Sequence, residues 1–276
     1  MIVALIDNGS LEPAAHHNLR RVAAALSDAT DTRVHAVSWK HSDRIASAEL
    51  GGTPAWTLGS FVRGMHALGQ RDFLFIPFFI SAQGAIGSAL RHDLEKLQAE
   101  LGGLEFDFTA GLAACGALAD IVTARIREVQ VARAMVRPPV VVVDHGGPSA
   151  ASAHLRDELS LAIRTRLGDR FGAVAAASME GEYPPHLADQ LRVPGFAGRD
   201  VIVALLFLSP GRHAGPGGDI ARICATSPAR CHVTDLVGTH PLAIDTLAAA
   251  LREKLSALDA GTPAPSEHAH ALSTPV

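Results

Sequence analysis

Ile2-Val-Ala-Leu-Ile-Asp-Asn-Gly-Ser10 and Val140-Val-Val-Val-Asp-His-Gly-Gly147 open the two halves of this chain in the same way. Each is a short apolar run that ends at Asp, a polar residue and Gly. An amphipathic helical pattern follows each, near Pro13–Ser27 and Ser149–Leu167. A buried strand that feeds a helix through a Gly turn is the opening of a βα unit in a parallel sheet.

Later landmarks recur in the same order, which is the mark of internal duplication. Arg33–Trp39 and Ala173–Met179 read as second strands. Phe73–Ser81 and Val201–Ser209 read as third strands, each closing on Ser and a Gly-containing loop. Phe106–Thr109 and Cys231–Thr234 read as fourth strands, leading into last helices near Ala117–Glu128 and Pro241–Ala257. The offset between copies is 137 at Asp7/Asp144, 128 at Ser81/Ser209 and 125 at Thr109/Thr234. Such a drift fits loop deletions on a shared scaffold. The expectation is an α/β protein of two tandem doubly wound parallel-sheet domains with a cleft between them. The first repeat takes residues 1–130, a linker 131–139 and the second repeat 140–258. Arg137-Pro-Pro139 stops the helix before the join. The tail 259–276 is rich in Pro and small residues and reads as disordered, His268 and His270 being bystanders there.

Composition narrows the class. The 276 residues are 48% hydrophobic and 19% charged, which is globular. The net charge of −4 leaves no basic footprint for nucleic acid. Three cysteines, Cys115, Cys224 and Cys231, lie far from CxxC spacing and read as reduced thiols of a cytoplasmic protein. No apolar run reaches the roughly 18–20 residues a membrane span needs. The N-terminal run lacks a basic start and a cleavage site, so it reads as a strand. Duplication replaces a dimer interface with an intramolecular one, so either a monomer or a homodimer is expected.

In open α/β sheets, ligands bind beyond the carboxyl ends of the strands. In the second repeat those positions hold Asp144 and His145, then Glu180, then His213, and last His240. Imidazoles and a carboxylate on one rim suit a divalent first-row ion, and equally an acid–base set. The first repeat carries Asn8, Lys40, Ala85 and Cys115 at the matching places of His145, Glu180, His213 and His240. Three of those are poor ligands, and Lys40 adds positive charge. Taken singly, His145 fits a capping residue, Glu180 a solvated turn acid, and the Gly/Pro loop around His213 simple flexibility. Phosphate cradling by that loop lacks the GxGxxG and GxxxxGK spacings. A nucleophile elbow is also missing, which sets an α/β hydrolase behind.

Val143-Asp-His-Gly-Gly147, followed by Phe207-Leu-Ser-Pro-Gly-Arg-His213 and Asp219-Ile220, resembles the signature of the class II tetrapyrrole chelatases. These include the CbiX-type sirohydrochlorin cobaltochelatases and ferrochelatases, and the resemblance covers the chain as two tandem copies apart from the tail. It implies insertion of a divalent metal into a sirohydrochlorin-type ring held between the domains, without ATP or any nucleotide. Cobalt is the first expectation, with nickel or ferrous iron behind it. By motif match His145 and His213 would face the metal and Glu180 would be an acidic site residue. Ser209, Gly211 and Arg212 of the adjoining loop would contact the tetrapyrrole, and Arg222 and Lys40 would join Arg212 in meeting its carboxylates. Gly147 stands where the family has Ser, Ala214-Gly-Pro-Gly-Gly218 lengthens the gap before Asp219, and no Pro follows Asp-Ile. A non-catalytic metal or tetrapyrrole carrier of the same fold is the alternative.

Overall fold

A computed structural model describes residues 1–80, 85–147 and 150–261, with residues 85–87 described as backbone only. The first repeat runs β1 (Ile2–Asp7), α1 (Pro13–Thr30), β2 (Val34–Ser38), β3 (Trp56–Thr57), α2 (Leu58–Ala67), β4 (Asp72–Pro77), α3 (Ala85–Leu101), β5 (Glu105–Phe108) and α4 (Leu118–Ala132). The second runs β6 (Val140–Asp144), α5 (Ala150–Leu167), β7 (Val174–Ser178), α6 (Leu187–Gln190), β8 (Asp200–Leu205), α7 (Asp219–Thr226), β9 (Arg230–Val233) and α8 (Pro241–Asp259). Two wholly parallel sheets result, ordered β3-β2-β1-β4-β5 and β7-β6-β8-β9. The doubly wound two-sheet architecture is the one the sequence predicts.

The central strands are covered on both faces. Val140 to Val143 are each fully buried, as are Ala4, Leu5 and Ile6, which is why these strands read as continuous apolar runs rather than alternating ones. Each such Val contributes about 1.5–3 kcal/mol on burial. The third strands end earlier than their apolar runs, at Pro77 and Leu205 rather than Ser81 and Ser209. Their neighbours β1 and β6 stop at Asp7 and Asp144, so the chain has no ladder partner beyond that point. Ser81, Ser149 and the tail from 262 lie outside the described residues.

Matching hydrogen bonds fix the alignment of the copies. Phe78 N donates to Ile6 O and Leu206 N to Val143 O, each at 2.8 Å. Trp39 N donates to Asp7 O and Met179 N to Asp144 O; Thr109 N donates to Phe75 O and Thr234 N to Val203 O. The offset is therefore 137 at Ile6/Val143, 140 at Trp39/Met179, 128 at Phe78/Leu206 and 125 at Thr109/Thr234. The drift reverses once: the second repeat gains residues before β7 and loses more after it. Where the first repeat has β3 and the ten-residue α2, the second has a single parallel bridge between Ser178 and His186 and the four-residue α6.

The last helix of each repeat packs on the other repeat. α4 lies beside α5 and over β8, while α8 lies along α1. Arg125 of α4 donates to Leu236 O and Thr239 Oγ1, and Lys254 of α8 pairs with Asp107 of β5. One apolar cluster consequently draws on both halves, including Leu19, Leu26, Ile121, Val142, Ile163 and Leu247. No helix among the described residues is long and apolar enough to cross a membrane.

Candidate metal centre

Strand β6 delivers His145 to the carboxyl rim of the second sheet, and β7 delivers Glu180 beside it. The two loops are joined backbone to backbone: Met179 N donates to Asp144 O at 2.9 Å and Glu180 N to His145 O at 3.2 Å. Gly146 makes this approach possible. Its φ is +84°, and a Cβ there would lie 1.8 Å from Glu180 O. The residue thus has to be glycine for His145 and Glu180 to be neighbours.

His213 arrives from the other side, on the loop after β8. That loop doubles back tightly, with Gly215 N donating to Gly211 O at 2.8 Å and Ile220 N to His213 O at 3.1 Å. A Cβ on Gly218 would stand 2.6 Å from Arg212 O, so this glycine permits close folding rather than looseness. The fold-back brings Asp219, at the start of α7, onto the ring of His213. His213 Nδ1 lies 2.7 Å from Asp219 Oδ2 despite the lengthened segment between them.

The three side chains converge. His145 Nε2 is 3.1 Å from His213 Nε2 and 3.4 Å from Glu180 Oε1. One ligand atom from each lies within 4.8 Å of the others, and this is the metal-capable group of three found among the described residues. With metal–nitrogen bonds of about 2.0–2.1 Å, adjacent ligands on one ion sit roughly 2.8–3.4 Å apart. Both separations from His145 Nε2 fall in that range.

Second contacts set the tautomers. His145 Nδ1 lies 2.7 Å from Gly146 O, an acceptor only, and His213 Nδ1 faces a carboxylate. Each Nδ1 therefore carries a hydrogen, which leaves Nε2 as the nitrogen each ring can offer to an ion. The His213 bond, with Arg222 pairing to the other oxygen, holds the Asp219 carboxyl below the usual carboxylate range. Beneath His145, burial pushes the Asp144 carboxyl up, while hydrogen bonding from Ser178 and the charge of Arg156 oppose the shift. Side-chain exposure of 53% at His145 and 57% at Glu180, against 20% at His213, leaves one open face.

The remaining expected residues are placed differently. Ser209 Oγ accepts from Asn18 Nδ2 at 2.9 Å, which ties this loop to α1 of the first repeat. Gly211 supplies the carbonyl that closes the loop, and Arg212 extends outward, 78% exposed and 3.7 Å from Asp219. Lys40, at the first rim, stacks on Trp39 and pairs loosely with Asp93. His240 does not join the rim, contrary to the expectation from its place after the fourth strand. It is buried as the N-cap of α8, with Nδ1 accepting from Leu242 N at 3.1 Å and Nε2 3.3 Å from Glu128. The crossing of α4 explains this, because it brings Glu128 against that loop. Asp219 stood in the sequence only as part of the family signature; its pairing with the His213 ring is what the structure adds.

No protein-family model matches the sequence, and no curated protein matches it. Solved structures do. SirB from Bacillus subtilis with Fe3+ superposes with a TM-score of 0.61 at 11% identity, over 94% of this chain and 98% of that one. The sirohydrochlorin chelatase SirB from Bacillus subtilis subspecies spizizenii, in complex with cobalt, gives 0.63 at 10% identity with the same coverage. CbiX, the terminal enzyme for biosynthesis of siroheme in denitrifying bacteria, gives 0.62 at 15% identity, over 91% of this chain and 97% of that one. This chain has the sirohydrochlorin-chelatase fold. Within the chelatase fold, the His145–Glu180–His213 group stands at the carboxyl rim of the second sheet, where open parallel sheets present ligand sites.

Proposed function

We propose that the chain inserts a divalent metal ion, cobalt foremost and nickel or ferrous iron next, into a sirohydrochlorin-type tetrapyrrole without ATP. The observation that carries this reading is the convergence of His145 Nε2, His213 Nε2 and a Glu180 oxygen on one open rim of a chelatase fold. The metal is a substrate here. Metallation joins one M2+ to a ring bearing two pyrrole N–H groups and releases two protons. Two imidazole nitrogens ligate the ion while it sheds water, and they receive the pyrrole protons as the ion passes to the ring. Glu180 offsets the charge of the incoming cation. Asp219 keeps His213 in the tautomer that presents Nε2. Arg212, the most exposed cation beside the centre, meets ring carboxylates, with Lys40 opposite and Ser209 and Gly211 shaping the loop beneath. The first repeat serves as the facing wall of the ring site.

The test is the initial rate of metallation of sirohydrochlorin by cobalt, nickel or ferrous ion, with and without purified protein. Acceleration over the spontaneous rate, lost in His145→Ala and in His213→Ala, supports the proposal. Tight binding of the ring without any acceleration would replace it with a carrier function.

A further inference from the structure

A buried guanidinium lies directly under the metal centre. Arg156, on α5, is only 2% exposed. The two opening helices are each 18 residues long and align end to end at the same offset as the strands before them, Pro13 with Ala150 and Thr30 with Leu167. Leu19 therefore occupies the place of Arg156 in the first repeat, and it too is fully buried. The scaffold accepts a leucine there. An arginine in such a place loses its hydration and needs several well-placed acceptors in return.

Three of its four acceptors belong to the structure that carries Glu180. Nη1 donates to Ser178 Oγ at 2.7 Å and to Tyr183 O at 3.2 Å, and Nη2 donates to Pro184 O at 3.4 Å. Nε is held by Asp157 at 2.8 Å. Ser178 Oγ in turn donates to Asp144 Oδ1 at 2.6 Å, and Ser178 N binds Pro185 O at 2.9 Å. The segment 179–185 thus leaves β7 at Ser178 and returns to it, with Arg156 gripping both limbs and Glu180 between them. The same chain of contacts reaches the carboxylate that immediately precedes His145. In the first repeat Ser38 likewise bonds the Asp7 carboxyl, but its other partner is the Ser42 hydroxyl at 2.9 Å, and Leu19 stands where the second repeat has the guanidinium.

We infer that Arg156 is a positioning residue of the metal centre, which fixes the Glu180 segment against His145 through Ser178 and the Tyr183 and Pro184 carbonyls. The inference rests on the metal-binding reading above and deepens it. Loss of such an outer contact typically costs about 10–100-fold in metal affinity.

The experiment compares cobalt binding, by competition against a chromophoric chelator and by the visible absorption of bound Co2+, in the full chain and its variants. Arg156→Leu installs the residue of the first repeat. It should weaken cobalt binding about tenfold, and its bound-cobalt spectrum should match that of Glu180→Ala. Adding Glu180→Ala to Arg156→Leu should then change neither quantity. Arg156→Lys, which retains charge but reaches fewer acceptors, and Ser178→Ala should each weaken binding by a smaller factor; they carry the test if the leucine variant does not fold. Unchanged affinity and spectrum in these variants, with lowered thermal stability alone, would overturn the inference and make Arg156 an internal brace. Wild-type protein that binds no cobalt would instead overturn the metal-binding reading itself.

Discussion

The two rims of this molecule share one backbone and differ in chemistry. In each, a strand ends at Asp, the next residue projects outward, and a glycine at φ near +85° lets a second loop press against it. A Cβ on Gly9 would meet Lys40 O at 1.8 Å, and one on Gly146 would meet Glu180 O at the same distance. On that common frame the first rim sets Asn8 and Lys40, and the second His145 and Glu180. The difference teaches that the frame is a requirement of the fold, because it survives where Asn8 and Lys40 replace His145 and Glu180. The candidate ligands are an addition to it, together with Arg156 and Asp219 behind them.

The comparison breaks most visibly if the histidines are removed. His145→Ala or His213→Ala should lower cobalt affinity at least about 100-fold, since each deletes a ligand of a three-residue set. Asn8→Ala at the equivalent place should leave it unchanged, and titration of each variant with Co2+ reads both.

Glycine substitution separates frame from site. Gly9→Ala and Gly146→Ala should each destabilise the protein by about 2–4 kcal/mol in urea unfolding, as positive φ and a backbone clash combine. Only Gly146→Ala should also weaken cobalt binding in the fraction that folds. Asp219→Asn should act more mildly. An amide can present its NH2 to His213 Nδ1, which favours the wrong tautomer, and the expected loss of metal affinity is about tenfold.

A last contrast concerns the carboxyl under the first rim. Burial raises Asp7 to about 6, opposed by hydrogen bonding from Ser38 and Gly9, and no buried arginine lies beneath it. The folded chain therefore keeps a proton on Asp7 that the unfolded chain releases above about 4. That contribution is fully favourable below pH 4 and is lost as pH rises through 6. Asp7→Asn should match the wild type in stability near pH 4 and exceed it by about 1–3 kcal/mol at pH 7, at 1.36 kcal/mol per pKa unit. Urea denaturation at pH 4, 5, 6 and 7 checks the widening gap.

Most of the fold was readable from local pattern. Runs such as Val140–Val143 are buried on both faces, and Gly turns after them have a single backbone use. What local pattern could not supply is non-local. Trp56-Thr57 forms a two-residue edge strand, too short to carry any periodicity. The crossing of α4 and α8 depends on packing between repeats, and it is the reason His240 points to Glu128 rather than to the rim. His145, Glu180 and His213 were legible because the first copy displays the same positions without them. Arg156 was not, since a charged residue on a helix ordinarily reads as exposed and only the folded loop 179–185 supplies its acceptors.

Cobalt stoichiometry tests the central claim most directly. Titration of the wild-type chain, followed by the visible absorption of bound Co2+, should saturate at one tight ion per chain. That signal should vanish in His145→Ala and persist in Asn8→Ala. Two equivalent ions per chain, or one ion whose signal survives His145→Ala, would contradict a single site on the second rim.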